Sequence, residues 1–195
     1  HSATASRIFN QDINKITFEQ RRKAKEANFG VLYGLGARGL AERLHISYEE
    51  AQNFIDIYFA NFKNLKQYLE ETIALAHSLG WTETLFGRRR YFPEINAGSA
   101  MLTAQAERAA VNHPIQGTAA DLIKQAMIVI QQQLPKISLK AKLLLQVHDE
   151  LLLEAPIAEI KKISVFVQKA MSEIYKLKAP IEVKVSAGAN WAEAH

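Results

Sequence analysis

Cysteine is absent from the 195 residues, which excludes disulfides and thiolate-ligated metal centres. No apolar run approaches the ~20 residues that a membrane-spanning helix needs. A secretory leader pattern is also missing, and the chain opens on His1 rather than Met, so processing or cloning is expected to have removed what came before. Strong charge imbalance is lacking too. The formal net charge is +4 and the pI near 9.2, compatible with a nucleic-acid partner without demanding one. Internal repeats and low-complexity segments are not visible. A hydrophobic content of 48% suffices for a sizeable core. The expected setting is a reducing cytoplasm, with no membrane partner.

Local signals divide the chain. Thr17-Phe18-Glu19-Gln20 reads as a capping box, predicting a helix from about Phe18 to Tyr33 that Gly34 and Gly36 terminate. Ser47-Tyr48-Glu49-Glu50 is a second box, opening a helical stretch to near Gly80 with Phe54, Ile55, Tyr58, Phe59 and Phe62 as candidate core. Trp81 to Pro93, around Phe86-Gly87-Arg88, suits a hairpin. A helix from Ser99 is expected to break at His113-Pro114, and another to start at Thr118 and reach about Leu134. Two apolar runs within Ala141 to Glu154 flank the polar insert Val147-His148-Asp149-Glu150, which predicts two strands and a tight turn. Pro156 opens a helix to about Tyr175, and Ile181 to Val185 alternates as a final strand. The expected architecture is α+β: a mostly helical lobe over 1–95, then a lobe with antiparallel sheet and packing helices over 96–195.

Arg21, Lys25, Phe29 and Tyr33 are spaced four apart on the first long helix. Each such step drifts only ~40°, so the four side chains form one stripe of ~18 Å. Its cations suit phosphates and its aromatics offer faces for a base. Cations near a helix N-terminus oppose the macrodipole but, together with it, attract an anion. Spacing alone leaves a solvated basic face above two buried aromatics as an equal alternative. Asp149 and Glu150 sit at the second turn, beside His148. Carboxylates held by a strand-turn-strand can bind the divalent ions that phosphoryl transfer needs. On its own the triplet also reads as an ordinary acidic turn.

The strings themselves narrow these alternatives. Arg21 through Gly34 (RRKAKEANFGVLYG) resembles the fingers-helix motif of family A DNA polymerases, the bacterial DNA polymerase I type. Leu145 through Leu151 (LQVHDEL) resembles the same family's palm motif, in the family's order and separation. Glu107 through Asp121 resembles a further polymerase signature, and the likeness extends over essentially the whole chain from His1-Ser2-Ala3-Thr4-Ala5. The resemblance implies template-directed DNA synthesis. Arg21 and Lys25 would bind the incoming deoxynucleoside triphosphate, with Lys25 counted among the catalytic residues. Phe29 would pack on its sugar and base, and Tyr33 would lie beside the templating base. Phe rather than Tyr at position 29 implies discrimination against nucleotides lacking a 3′-hydroxyl. Asp149 and Glu150 would be catalytic and hold metal, two Mg²⁺ ions in the complete enzyme. Arg108, Asn112, Gln116 and His148 would contact the primer-template, the first three from the minor groove. Donors there check base-pair shape without reading sequence. Gly87-Arg88-Arg89-Arg90 resembles another family segment and suits a phosphate contact or an exposed basic turn equally.

One family element is not matched. A further palm motif, carrying a metal-binding Asp and a Glu that blocks ribonucleotides, precedes the string that His1-Ser2-Ala3 resembles. Asp12 and Asp56 stand in unrelated strings, and Asp121 is most simply an N-terminal helix acid. The chain alone is therefore expected to be inactive and to need an upstream polymerase segment. Other readings compete. Gly34 to Gly39 matches G-x-G-x-x-G, but a helix precedes it where a dinucleotide fold needs a strand. Gly39 to Ala51 looks like a helix-turn-helix, although its would-be recognition helix begins Tyr48-Glu49-Glu50, and acids repel phosphates. A single-subunit RNA polymerase shares the palm and is the third alternative. The polymerase reading expects the ridge around Lys25 to face Asp149 across a common cleft.

Overall fold

In the computed structural model, which describes residues 1–194, the helices are α1 Ser2–Phe9, α2 Phe18–Leu32, α3 Ala37–Leu44, α4 Tyr48–Asn61, α5 Lys63–Leu79, α6 Ala100–Ile137, α7 Ile160–Ser172 and α8 Trp191–Ala194. Two antiparallel hairpins accompany them: β1 Trp81–Glu83 with β2 Arg89–Tyr91, and β3 Lys142–Val147 with β4 Glu150–Glu154. The chain is α+β. It divides into two compact units, His1–Ile115 and Gln116–His195, with the division falling inside α6.

Caps explain where the first unit's helices begin. Thr17 N donates to Gln20 Oε1 at 2.9 Å, and Gln20 N donates to Thr17 Oγ1 at 3.2 Å. The same reciprocal pair joins Ser47 to Glu50 at the start of α4, satisfying donors that a helix end leaves open. Hydrogen bonding from the Ser47 backbone, then from the Ser47 side chain, holds the Glu50 carboxyl below its ordinary value. The expected helical stretch to Gly80 is interrupted at Phe62, which ends α4 and caps α5, and Gly80 closes α5 with φ +74°. Ile8, Ala27, Val31, Leu40, Leu44, Phe54 and Tyr58 share a core among α1 to α4, and small Ala24 and Ala27 let α1 lie close on α2. A second cluster of Ala76, Phe92, Ile95, Ala106 and Ala110 packs α5 and the turn Pro93–Asn96 against the first half of α6.

The expected break at His113-Pro114 does not occur: α6 runs through it without interruption. An interior proline costs ~3 kcal/mol because it has no N–H for the carbonyl four residues before it. That carbonyl is Ala110 O, and here the Thr82 hydroxyl of β1 donates to it at 3.4 Å. Thr82 Oγ1 also lies 3.0 Å from His113 Nδ1, and Thr82 is 1% exposed. A strand distant in sequence thus supplies the partner that the helix lacks. Thr82→Val keeps the shape and removes the hydroxyl. It should lower unfolding free energy by ~1–3 kcal/mol, the cost of a buried acceptor left unmet. Urea melts of the two proteins check this, and equal midpoints would show that the hydroxyl contributes nothing.

In the second unit, Ile130 and Leu134 of α6 pack on Ile163 and Val167 of α7, with Leu151 and Leu153 of β4 against them. The β3–β4 register slips between Leu143 and Leu145, a bulge that leaves Leu144 exposed. Residues 181–185 are not a strand, contrary to the expected final one. Their alternation is real, but a strand also needs a ladder partner, and Gln168 Nε2 instead donates to Val183 O at 2.9 Å. The expected helix from Pro156 starts as a 3₁₀ turn at Ile157–Glu159 and ends at Ser172, short of Tyr175. Among the described residues no helix is long and apolar enough to cross a membrane.

Candidate nucleotide and nucleic-acid site

α2 buries Ala24, Ala27 and Val31 and turns a different face outward. On that face Arg21 and Lys25 are exposed, Phe29 is 44% exposed, and Tyr33, the C-cap residue, is half-buried. The Phe29 and Tyr33 rings stack with centroids 6.5 Å apart and planes at 29°. The stripe is therefore built as its spacing predicts. Charge pairing separates its members from their neighbour. Arg22 lies 3.2 Å from Glu26 and 3.7 Å from Glu19, whereas Arg21 and Lys25 have no ion pair among the described residues. Two unneutralised cations, followed by a half-open aromatic pair, can take an anionic group at one end and a flat ring at the other.

Packing adds a residue that spacing could not reveal. His1, at the start of α1, places its ring 5.7 Å from that of Phe29. Asn28 Nδ2 lies 3.1 Å from His1 Nδ1 and donates to Thr4 Oγ1 at 3.0 Å, tying α1 to the aromatic end of the stripe. Beyond Tyr33 the backbone turns at Gly34, φ +76°, where a Cβ would stand 2.9 Å from Arg108 Cγ. Any side chain there would clash as well as strain the turn. The close approach brings the end of α2 against exposed Arg108 on α6.

Asn112 is half-buried one helical step further on, and its Oδ1 is buried with no hydrogen-bond partner among the described residues. Because α6 is unbroken, exposed Gln116 occupies the next four-residue step of the same helix. In the basic hairpin, Arg89 lies over the Trp81 ring at 4.0 Å and 3.5 Å from Glu83, while Arg90 lies over Phe92 at 5.3 Å. These two guanidinium groups brace the hairpin.

The carboxylates stand in the second unit, at the turn between β3 and β4, where Val147 pairs with Glu150. His148 adopts φ +51°, a left-handed conformation unusual outside glycine, and Gln146 Nε2 donates to its carbonyl at 2.9 Å. His148, Asp149 and Glu150 are all exposed. Among the described residues no group of three or more His, Cys, Asp or Glu could hold a metal ion. Two adjacent carboxylates can anchor one hydrated Mg²⁺ beside a phosphate, but they are not a cage for two ions. A recess of about 270 Å³, lined by Ser172, Tyr175, Lys176 and Pro180 among others, contains none of these residues.

Residues 1–193 match the model of DNA polymerase family A. The chain belongs to that family. It is 45% identical over 193 residues to the DNA polymerase I of Caldicellulosiruptor bescii, covering 99% of this chain and 23% of that protein. It is also 45% identical over 194 residues to the thermostable DNA polymerase I of Thermus thermophilus, again covering 23% of it. This family A chain thus spans under a quarter of the length of those relatives. Among solved structures it is similar to the POL domain of Pol1 from M. smegmatis, a complex with DNA primer-template and dNTP, at TM-score 0.94 and 43% identity over 100% of this chain and 34% of that one.

Proposed function

We propose that this chain forms the nucleotide-binding and part of the catalytic portion of a DNA polymerase that adds deoxynucleotides to a primer 3′-hydroxyl. The reading rests most on the pair Arg21 and Lys25, left without acidic partners while Arg22 between them is neutralised. The M. smegmatis complex with primer-template and dNTP, similar along the whole chain, supports the same substrates. Functional lobes then divide near Ile95, residues 1–95 serving as fingers and 96–195 as part of a palm. The compact units divide further along, inside α6, because Ala106 and Ala110 pack with Ala76, Phe92 and Ile95.

In this reading the guanidinium of Arg21 and the ammonium of Lys25 hold the triphosphate, and Lys25 balances charge as the bond to the leaving pyrophosphate lengthens. Phe29 packs on sugar and base, and Tyr33 borders the templating base. Arg108, Asn112 and Gln116 meet the minor groove, and His148 lies near the primer terminus. Asp149 and Glu150 would hold Mg²⁺ jointly with a carboxylate from a polymerase segment outside this chain. When bound, the metal neutralises phosphate charge and makes the primer hydroxyl a better nucleophile.

The chain should bind a recessed 3′ end more tightly than blunt duplex of the same length, by about tenfold, and Mg²⁺-dependent primer extension should be undetectable without a further segment. Fluorescence anisotropy with matched DNAs checks the first expectation and a gel assay the second. A sequence-specific footprint on duplex, indifferent to a primer end, would instead identify Gly39–Ala51 as a helix-turn-helix regulator. Clear extension by the chain alone would remove the need for an outside carboxylate.

A further inference from the structure

We infer that His77 is an imidazolium cation at neutral pH and acts as a positioning residue for the part of α6 that carries Arg108 and Asn112. Its Nδ1 lies 3.0 Å from Asn96 Oδ1 and its Nε2 lies 2.8 Å from Glu107 Oε1. Ring nitrogens alone do not reveal where protons sit, but the partners here do. Asn96 Nδ2 donates at 3.1 Å to the backbone carbonyl of His77, which can only accept. The amide orientation is thereby fixed, its oxygen faces the ring, and Nδ1 must carry a proton. Glu107 faces Nε2 with a carboxylate oxygen. A free carboxyl loses its proton two units below an imidazolium, so the shared proton belongs to Nε2. Both nitrogens donate, and the ring is charged.

The location supports the charge. His77 is in the last turn of α5, where the helix dipole favours a cation and carbonyls lack helical partners. One of those carbonyls takes the Asn96 amide, so the side chain and backbone of one residue are both held. Three elements meet at this point: the end of α5, the turn Pro93–Asn96, and α6. Ala76 and Ala106, the neighbours of His77 and Glu107, are buried in the cluster between them. The ion pair lies on the rim of that contact, with about a third of each side chain exposed (34% and 31%). Glu107 is the charged group facing the ring from α6, and the neutral Asn96 faces it from the turn.

From this side the latch fixes α6 at Glu107, and from the other the end of α2 rests on Arg108 at Gly34. The next residues towards the C-terminus are those proposed to meet the minor groove; that part of the inference rests on the polymerase reading, while the protonation state does not. The hydrogen bond to Glu107, then that to Asn96, raises the His77 pKa above its ordinary value against a smaller opposing effect of burial. A raised folded-state value means the latch contributes fully below the unfolded pKa of about 6.5 and is lost as pH climbs through the folded one.

The test uses the full chain and ¹⁵N-edited NMR of the imidazoles. At pH 7 both His77 nitrogens should be protonated, with a titration midpoint above that of a free histidine. Glu107→Gln should lower that midpoint, and backbone amides from Glu107 to Asn112 should shift with the same midpoint in the wild type and stay flat in His77→Gln. His77→Arg, a cation at every pH, should keep those amides at their low-pH positions. A singly protonated ring at pH 7 overturns the charge assignment, and amides that ignore the His77 titration overturn the positioning role. If the chain shows no preference for recessed DNA ends, the polymerase reading fails while both NMR results stand, so the two failures are separable.

Discussion

Asp149→Ala should reduce primer extension on the order of 10³-fold, or more, in a chimaera that joins this chain to the preceding portion of the C. bescii DNA polymerase I. Metal ligation contributes several kcal/mol of transition-state stabilisation, and each 1.36 kcal/mol is tenfold in rate. The turn allows the effect to be assigned to chemistry. Asp149 is exposed, so its truncation should alter unfolding free energy by less than ~0.5 kcal/mol. Removing a negative charge near phosphates should leave DNA affinity equal or slightly stronger. Glu150→Ala should be milder, because β4 keeps it paired in register with Val147 and its neighbour can still carry the ion. Steady-state incorporation with matched thermal melts separates rate from folding. A chimaera that loses less than about tenfold on Asp149→Ala would take this carboxylate out of the metal site.

The parts of this architecture that could be read from sequence are those whose causes are local. Thr17 with Gln20 and Ser47 with Glu50 announce two helix starts because capping partners lie three residues apart. The four-residue spacing of Arg21, Lys25 and Phe29 places a stripe on one face because helical geometry leaves no alternative. Leu145 to Leu151 reads as a hairpin because a polar insert interrupts two apolar runs. Where the cause is distant, the reading fails. Pro114 carries the signal of a helix end, and Thr82, far upstream in β1, supplies the hydroxyl that lets α6 continue. Residues 181–185 alternate like a strand, yet alternation specifies a half-buried face and not a ladder partner. His1 reaches Phe29 because α1 folds onto α2, a contact no spacing encodes.

The same distinction separates motif from mechanism. Family A membership follows from strings, but strings do not tell which of Arg21, Arg22 and Lys25 remains available. Arg21, Arg22 and Lys25 are equivalent as charges in composition. On the folded helix, Arg22 falls between Glu19 and Glu26 and is neutralised, while the other two keep their full field. Acids placed one helical step from the unwanted cation therefore sharpen the stripe. A like argument covers Arg89 and Arg90, whose stacking on Trp81 and Phe92 commits them to the hairpin.

Lys25→Ala in the same chimaera should lower kcat/KM for a deoxynucleotide by about 10²-fold, whereas Arg22→Ala should lower it less than about threefold. Lys25 is exposed and unpaired, so its ammonium has only water to exchange for a phosphate oxygen, and a charge-assisted contact of this kind is worth roughly 2–3 kcal/mol. Arg22 already spends its guanidinium on Glu26 at 3.2 Å, and truncating an exposed pair changes stability by well under 1 kcal/mol. Lys25→Arg should recover only part of the loss, because a broad planar fork cannot take the place of a compact point charge. Raising ionic strength should weaken nucleotide binding in the wild type more than in Lys25→Ala, since the variant has less charge to screen. The comparison is read from single-nucleotide incorporation over a range of nucleotide concentrations. Equal losses in Lys25→Ala and Arg22→Ala would mean that the helix contributes only diffuse positive charge, and that the stripe of α2 is not the triphosphate site.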